Sequence, residues 1–238
     1  MESELPLDDP VEARAACTEG AGPGWPSLEG VVTNVYIDGF NLYYGCLKGT
    51  PLKWLDLEAL CARLLPGNEI KRIRYFTALV SAREDKPQGP VRQHTYLRAL
   101  GTLPHVSVHL GHFLVTRTRM RLADPPATGP RTVEVTKTEE KGSDVNLATY
   151  LLVDAFRTDA DAFVVISNDS DLMEPIRVVR HELGLVVGIL NPQAQASRAL
   201  LRCKPNFIKK IRAGVLAASQ LPCQLTDDKG TITKPASW

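Results

Sequence analysis

Between residues 31 and 211, short apolar stretches alternate with amphipathic stretches of helical length, and this order constrains the chain more than any other feature. A strand that returns parallel to its predecessor needs a crossover of a dozen or more residues, usually a helix. The alternation therefore predicts an α/β fold with a mainly parallel sheet. Val31 to Asp38 reads as a continuous apolar strand, Asp56 to Leu65 as a helix, Ile70 to Val80 as a strand and Pro90 to Leu100 as a helix. The pattern resumes with a helix from Val145 to Phe156 that is capped near Ser143. A buried strand follows from Ala162 to Ile166, then a helix from Leu172 to Leu183, a strand from Leu185 to Leu190, a short helix from Ser197 to Leu201 and a last strand near Phe207 to Ile211.

The middle of the chain departs from this order. Val106 to Leu122 and Arg131 to Thr138 both alternate polar and apolar residues, and the segment between them, Ala123 to Pro130, holds three prolines and one glycine. The spacing predicts a strand-pair arm around 106–138. The first 30 residues combine Pro, Gly, Glu and Ala without a sustained apolar period, and the last 24 are similar in polar and Pro content. These segments read as a disordered acidic tail over 1–30 and a flexible tail over 213–238, around one domain at 31–212. The apolar runs, six to eight residues at their longest, fall short of the ~20 that cross a bilayer. The acidic start has neither the basic region nor the apolar stretch of a signal peptide, so a cytoplasmic protein without a membrane partner is expected. Five scattered cysteines with no C-x-x-C pair argue against a disulfide framework or a structural zinc site. His109 and His112, three apart in a strand, point to opposite faces and make a poor metal pair.

The net charge of +1 conceals an uneven distribution. Residues 1–30 carry one Arg against seven acidic residues, whereas residues 31–214 carry 25 Lys and Arg against 18 acidic residues. A basic body suits a polyanionic partner, although Arg-rich surfaces are also common as solvated faces.

In doubly wound sheets, ligands gather beyond the carboxyl ends of the strands. Two of those ends are acidic here. The first strand runs into Asp38-Gly39-Phe40-Asn41 and the buried strand into Ser167-Asn168-Asp169-Ser170-Asp171, while Asp144 opens the helix between them. Each Asp or Ser taken singly is also an ordinary helix N-cap. Taken together, carboxylates at the ends of neighbouring buried strands repel one another unless a cation lies among them. Mg²⁺ or Mn²⁺ suits such oxygen ligands and retains open positions for phosphate oxygens. An acidic cluster in a basic body is what phosphodiester hydrolysis requires, since the metal activates water while Lys and Arg hold the polyanion.

The segments VYIDGFNLYY, EEKGSDVNLATYLLVDA and FVVISNDSDLMEPIRVVRHELGLVVGI, in this order and spacing, resemble the three blocks of the NYN (LabA-like) domain, a PIN-like nuclease relative of the flap-endonuclease superfamily. The resemblance covers roughly residues 31–212. It implies a PIN-like three-layer α/β/α fold and a Mg²⁺- or Mn²⁺-dependent ribonuclease. By that resemblance Asp38, Asp144, Asp169 and Asp171 match the acidic positions, Asn41 the D-x-x-N position and Ser167 the hydroxyl that opens the third block. The chain departs at Tyr150, where many relatives place another Asp, and it is open whether Asp154, one helical turn on, substitutes.

Asp38 and Asp169, which end buried strands, are the expected inner-sphere metal ligands. Asp144 and Asp171 would act through water or orient the nucleophile, and Asn41 would meet the metal water or the scissile phosphate. Lys141 is a candidate phosphate contact and equally a solvated neighbour of Glu139 and Glu140. Arg117, Arg119 and Arg121 alternate along one strand face, and Lys204, Lys209, Lys210 and Arg212 crowd the end of the domain; either set could grip RNA. Tyr43 and Tyr44 fit a packed helix better than a stacking platform. RNA, single-stranded or structured, is the expected partner, with room for a homodimer or a protein regulator. The alternative is a catalytically weak or inactive RNA-binding regulatory module of the same fold. A haloacid-dehalogenase phosphatase would need an Asp where Phe40 stands, and no G-x-G-x-x-G follows the first strand to bind a dinucleotide.

Overall fold

A computed structural model describes residues 30–82, 84 and 87–238, so the expected acidic tail lies, apart from its last residue, outside the described residues. Strand β1 (Val32–Asp38) is buried from Thr33 to its end, which explains its near-continuous apolar run. It leads into helix α1 (Gly39–Leu42), which continues as a π turn over Tyr43–Leu47. Helix α2 (Leu57–Leu64) is capped by Asp56, whose carboxylate accepts a hydrogen bond from the Ala59 N–H at 2.9 Å. Strand β2 (Glu69–Ala78), helix α3 (Gly89–Leu100), the long strand β3 (Val106–Arg121) and strand β4 (Thr132–Lys141) follow. Then come helix α4 (Ser143–Phe156), strand β5 (Ala162–Ile166), helix α5 (Met173–Arg177), strand β6 (Val186–Asn191), helix α6 (Arg198–Arg202) and strand β7 (Phe207–Lys210). Helix α5 is regular only in its middle, between a 3₁₀ turn at Ser170–Leu172 and a π turn at Val178–Glu182, where the sequence predicts one continuous helix.

The seven strands are ordered β4-β3-β2-β1-β5-β6-β7. All neighbours are parallel except β3 and β4. From β1 the chain builds outward through β2, β3 and β4, then returns to place β5 on the other side of β1. The order thus reverses between β1 and β5, and their carboxyl ends flank the crevice where ligands bind in open α/β sheets. Alternation along β1 divides the core into two layers. Val35 and Ile37 pack with Leu42, Trp54, Leu60 and Leu100 on one face of the sheet. Tyr36 packs with Phe163, Leu147, Leu151 and Ile176 on the other. The molecule is the three-layer α/β/α arrangement expected from the sequence. Among the described residues, no helix is long and apolar enough to cross a membrane.

The expected arm is present. Pairing of β3 with β2 ends at Gly111, and from His112 to Arg121 β3 pairs only with β4. The ribbon therefore extends past the carboxyl end of the sheet, on the side where β1 and β5 end.

The expected flexible tail at 213–238 is corrected. These residues form helix α7 (Ala213–Ala218) and a hairpin of β8 (Gln224–Asp227) and β9 (Gly230–Thr233). Leu216, Leu221 and Ile232 are buried, and the Trp54 indole N–H donates to the Pro222 carbonyl at 2.8 Å. Arg98 pairs with Asp227 at 2.6 Å, and Trp238 lies against Trp54 and Tyr96. The segment closes the layer of α2 and α3. Its few apolar residues are spaced too widely to show a period of their own.

Candidate metal centre

Asp38 ends β1 and is 3% exposed. One carboxylate oxygen caps α1 by accepting from the Asn41 N–H at 2.9 Å, and the other accepts from the Ser167 hydroxyl at 2.9 Å. The Ser167 oxygen in turn accepts from the Asp169 N–H at 3.0 Å, so one hydroxyl ties the ends of β1 and β5 together. The Asn41 side-chain oxygen accepts from the Asn168 N–H at 3.2 Å. Gly39 follows Asp38 because a Cβ there would lie 2.7 Å from the Phe76 carbonyl and the Tyr75 hydroxyl.

Asp144 is placed by the junction of β4 and α4. Gly142 turns the chain at φ +96°, a conformation that glycine adopts at no steric cost. The Glu140 carboxylate accepts from the Ser143 N–H at 3.1 Å and from its hydroxyl at 2.7 Å. A side chain at Gly111 would collide with Glu140 and with the Lys141 carbonyl, so glycine allows β3 to approach this junction. The first turn of α4 thereby brings Asp144 to the end of β1.

Asp38, Asp144 and Asp169 each offer an oxygen, and these three atoms lie within 4.8 Å of one another. Burial raises the pKa of Asp38, with its hydrogen bonds opposing the shift and the Asp169 charge adding to it. Burial, followed by the charges of Asp38, Asp169, Glu140 and Asp171, pushes Asp144 up to about 6. Three hard oxygen donors whose mutual repulsion resists ionisation fit a divalent cation such as Mg²⁺ or Mn²⁺. Asp171 is not part of this triplet. Its N–H donates to Asp169 at 3.0 Å, and it adds to the negative field at Asp144.

The family model for the NYN domain matches residues 32–216. The chain belongs to the NYN-domain family. All three acidic sequence blocks fall inside the matched span, and the sheet with its two helical layers is the PIN-like nuclease fold. This NYN domain is also 34% identical over 235 residues to the 6-hydroxy-3-succinoylpyridine 3-monooxygenase of Pseudomonas putida, covering 87% of this chain and 75% of that one. A crystal structure of a protein of unknown function from Vibrio parahaemolyticus is 16% identical, with a TM-score of 0.49, over 82% of this chain and 99% of that one.

Asp154 does not stand in for the carboxylate missing at position 150 of this NYN domain. It is buried and accepts hydrogen bonds from the Tyr36 hydroxyl at 2.8 Å and from the Arg74 guanidinium at 2.9 and 3.1 Å. Tyr150 covers Arg74, with the guanidinium carbon 4.4 Å from its ring centre, and its ring lies 4.4 Å from that of His109 at a tilt of 52°. Burial and the Arg74 charge lower the pKa of His109.

The basic residues divide by position. Arg117, Arg119 and Arg121 are exposed on the arm, and among the described residues their guanidinium groups make no ion pair or hydrogen bond. Phe113 and Glu140 share their ribbon face, and Phe113 touches Phe40 beside the cluster. Lys141 is exposed and lies 3.6 Å from Glu139. On β7, the Lys209 ammonium donates to the Leu64 carbonyl and that of Lys210 to the Ala194 carbonyl. Sequence reasoning missed Glu140, which fixes Ser143, and Asn168, whose amide bonds Gln195 and Ser197. Glu140 sits three residues before Ser143, a spacing that could have signalled the link; the contacts of Asn168 reach nearly thirty residues along the chain and leave no local trace.

Proposed function

We propose that the chain is a Mg²⁺- or Mn²⁺-dependent endoribonuclease that hydrolyses RNA phosphodiester bonds at the Asp38, Asp144 and Asp169 cluster. The observation that carries this reading is the convergence of three carboxylate oxygens at the point where strand order reverses. A divalent ion held there would supply an activated water and neutralise charge on the phosphate. The Ser167 hydroxyl is committed to Asp38 and Asp169, so it positions ligands and is not a nucleophile. Asn41 spends its side-chain oxygen on Asn168 and turns its amide toward the Asp38 carboxylate, which leaves one N–H for a phosphate oxygen. Asp171, at the rim, orients water, while the arm arginines supply positive charge to the RNA backbone.

Cleavage of a labelled structured RNA with Mn²⁺, Mg²⁺ or EDTA, by wild type and Asp38→Asn, tests this directly. Metal-dependent cutting that the variant loses supports it. Metal-independent cutting, or an unchanged variant, rejects it. Binding without any cleavage would favour the regulatory-module alternative. The name of the Pseudomonas relative supports a second reading, oxygenation of a hydroxypyridine ring. That chemistry places one atom of O₂ in the product and reduces the other to water with two electrons from a donor. Oxygen consumption with that pyridine and an electron donor would select it.

A further inference from the structure

Next to the carboxylates a groove of about 580 Å³ opens beyond the ends of β5 and β6, lined by Asn41, Asn168, Asp169, Gln193 and Gln195 among others. Asp169 and Asn41 border both the groove and the cluster, so a ligand in the groove is adjacent to one at the cluster. One wall is the loop that follows β6, and its backbone is held along its length. Gly45 lets the chain pack on Pro192, where a Cβ would lie 3.0 Å away. The Gln193 N–H donates to the Asn191 side chain at 2.8 Å, and the Lys210 ammonium donates to the Ala194 carbonyl at 3.2 Å. Asn168 donates to the Gln195 carbonyl at 3.0 Å and accepts from the Ser197 N–H at 2.7 Å.

Two groups on this fixed loop remain uncommitted. Among the described residues, the side-chain amides of Gln193 and Gln195 make no hydrogen bond. A carboxamide presents a donor and an acceptor side by side, which matches the edge of a heterocyclic base in a bidentate pair. A phosphate would call for Arg, Lys or a row of backbone N–H groups, whereas this lining is neutral apart from Asp169, which repels anions. The groove is shallow and open to solvent, as a subsite for one residue of a long polymer must be.

We infer that the groove is a nucleobase subsite. It takes the base adjoining the scissile phosphate and reads its hydrogen-bonding edge through Gln193 and Gln195. Lys210, expected from the sequence to hold backbone phosphates, acts here by positioning the loop. The inference rests on the nuclease reading of the cluster, and its test separates the two.

The test compares wild type with the double variant Gln193→Leu, Gln195→Leu in binding AMP, CMP, GMP and UMP in the presence of Mn²⁺. Cleavage of RNAs that differ only in the nucleotide flanking the cut is measured in parallel. One bidentate pair discriminates among bases by roughly 5- to 100-fold. Wild type should therefore prefer one nucleotide by such a factor, and the double variant should bind the four within about twofold. Gln195→Glu keeps the shape and replaces the donor by an acceptor, so it should shift preference toward bases that present an amino group. Equal binding of the four nucleotides by wild type, or selectivity that survives in the double variant, overturns the subsite, whether or not RNA is cut. Selectivity that the variant loses, in a protein that cuts no RNA, keeps the subsite and rejects the nuclease reading.

Discussion

Asp154 lies ten residues beyond Asp144 on one helix, about 15 Å along the axis at ~1.5 Å per residue, and that separation decides its role. It is a structural anion for Arg74, Arg72 and Tyr36, while Asp144 faces the cluster. Removing one partner of a buried pair leaves an uncompensated charge. Arg74→Met should therefore lower unfolding free energy by about 3 kcal/mol in urea titrations, while metal binding at the cluster persists. A loss below ~0.5 kcal/mol, the scale of an ordinary surface change, would contradict the buried pair. His109, beside this pair, adds a pH dependence. Its pKa in the folded protein is lowered from 6.5, so the folded state binds its proton less readily than the unfolded chain does. The associated stability is present in full above pH 6.5 and is lost as pH falls through the lowered pKa. Between pH 7.5 and 5 the urea midpoint of wild type should fall further than that of His109→Gln; parallel curves would show that the shift is absent.

Among the elements, the ribbon of β3 and β4 gathers its three arginines on one face. In an antiparallel pair directly opposed residues share a face, so Phe113, Arg117, Arg119 and Arg121 line one side with Glu140 and with Glu134 opposite Arg119, and Lys137 and Lys141 lie on the other with Glu139. At ~3.4 Å per residue the arginines stand roughly 13 to 27 Å beyond Phe113. Each phosphate contact to a single strand contributes ~0.7 to the slope of log affinity against log salt. Replacing Arg117, Arg119 and Arg121 together by Gln should lower that slope by about 2 and weaken binding alike across RNA sequences. Lys137→Gln removes a charge from the opposite face and should leave the slope unchanged. Equal slopes for wild type and the triple variant would remove the arm from the RNA path.

Across the whole molecule, what was legible in the sequence was what local chemistry encodes. Val31 to Asp38 reads as a buried strand because a parallel strand covered on both faces is largely apolar, and β1 follows that stretch almost residue for residue, with the buried Thr33 and Asn34 side chains hydrogen-bonded. Asp38 and Asp169 were visible because a carboxylate at the end of such a run stands out, and Asp144 because it opens the intervening helix. The groove was not legible, since Asn168 meets Gln195 and Ser197 only after β6 has been laid beside β5. The carboxyl-terminal segment leaves no sequence period for a related reason. Leu216, Leu221 and Ile232 are recruited singly by a surface formed elsewhere in the chain, by Trp54 and Tyr96 among others, and they trace no helix or strand period. Ending the chain at residue 212 should therefore expose that surface and lower the melting temperature by several degrees, the effect of losing about 1 kcal/mol or more. An unchanged melting temperature would restore the tail reading. The measurement that most directly tests the central claim is single-turnover cleavage of an end-labelled RNA in Mn²⁺ by wild type, Asp169→Asn and Glu174→Gln. Asp169→Asn keeps the shape but removes a ligand charge, so cleavage should fall by at least ~100-fold. Glu174, paired with Arg177 on the exposed side of α5, should tolerate the same change with nearly intact cleavage. Cleavage by Asp169→Asn at the wild-type rate would show that the carboxylate cluster is not where RNA is cut.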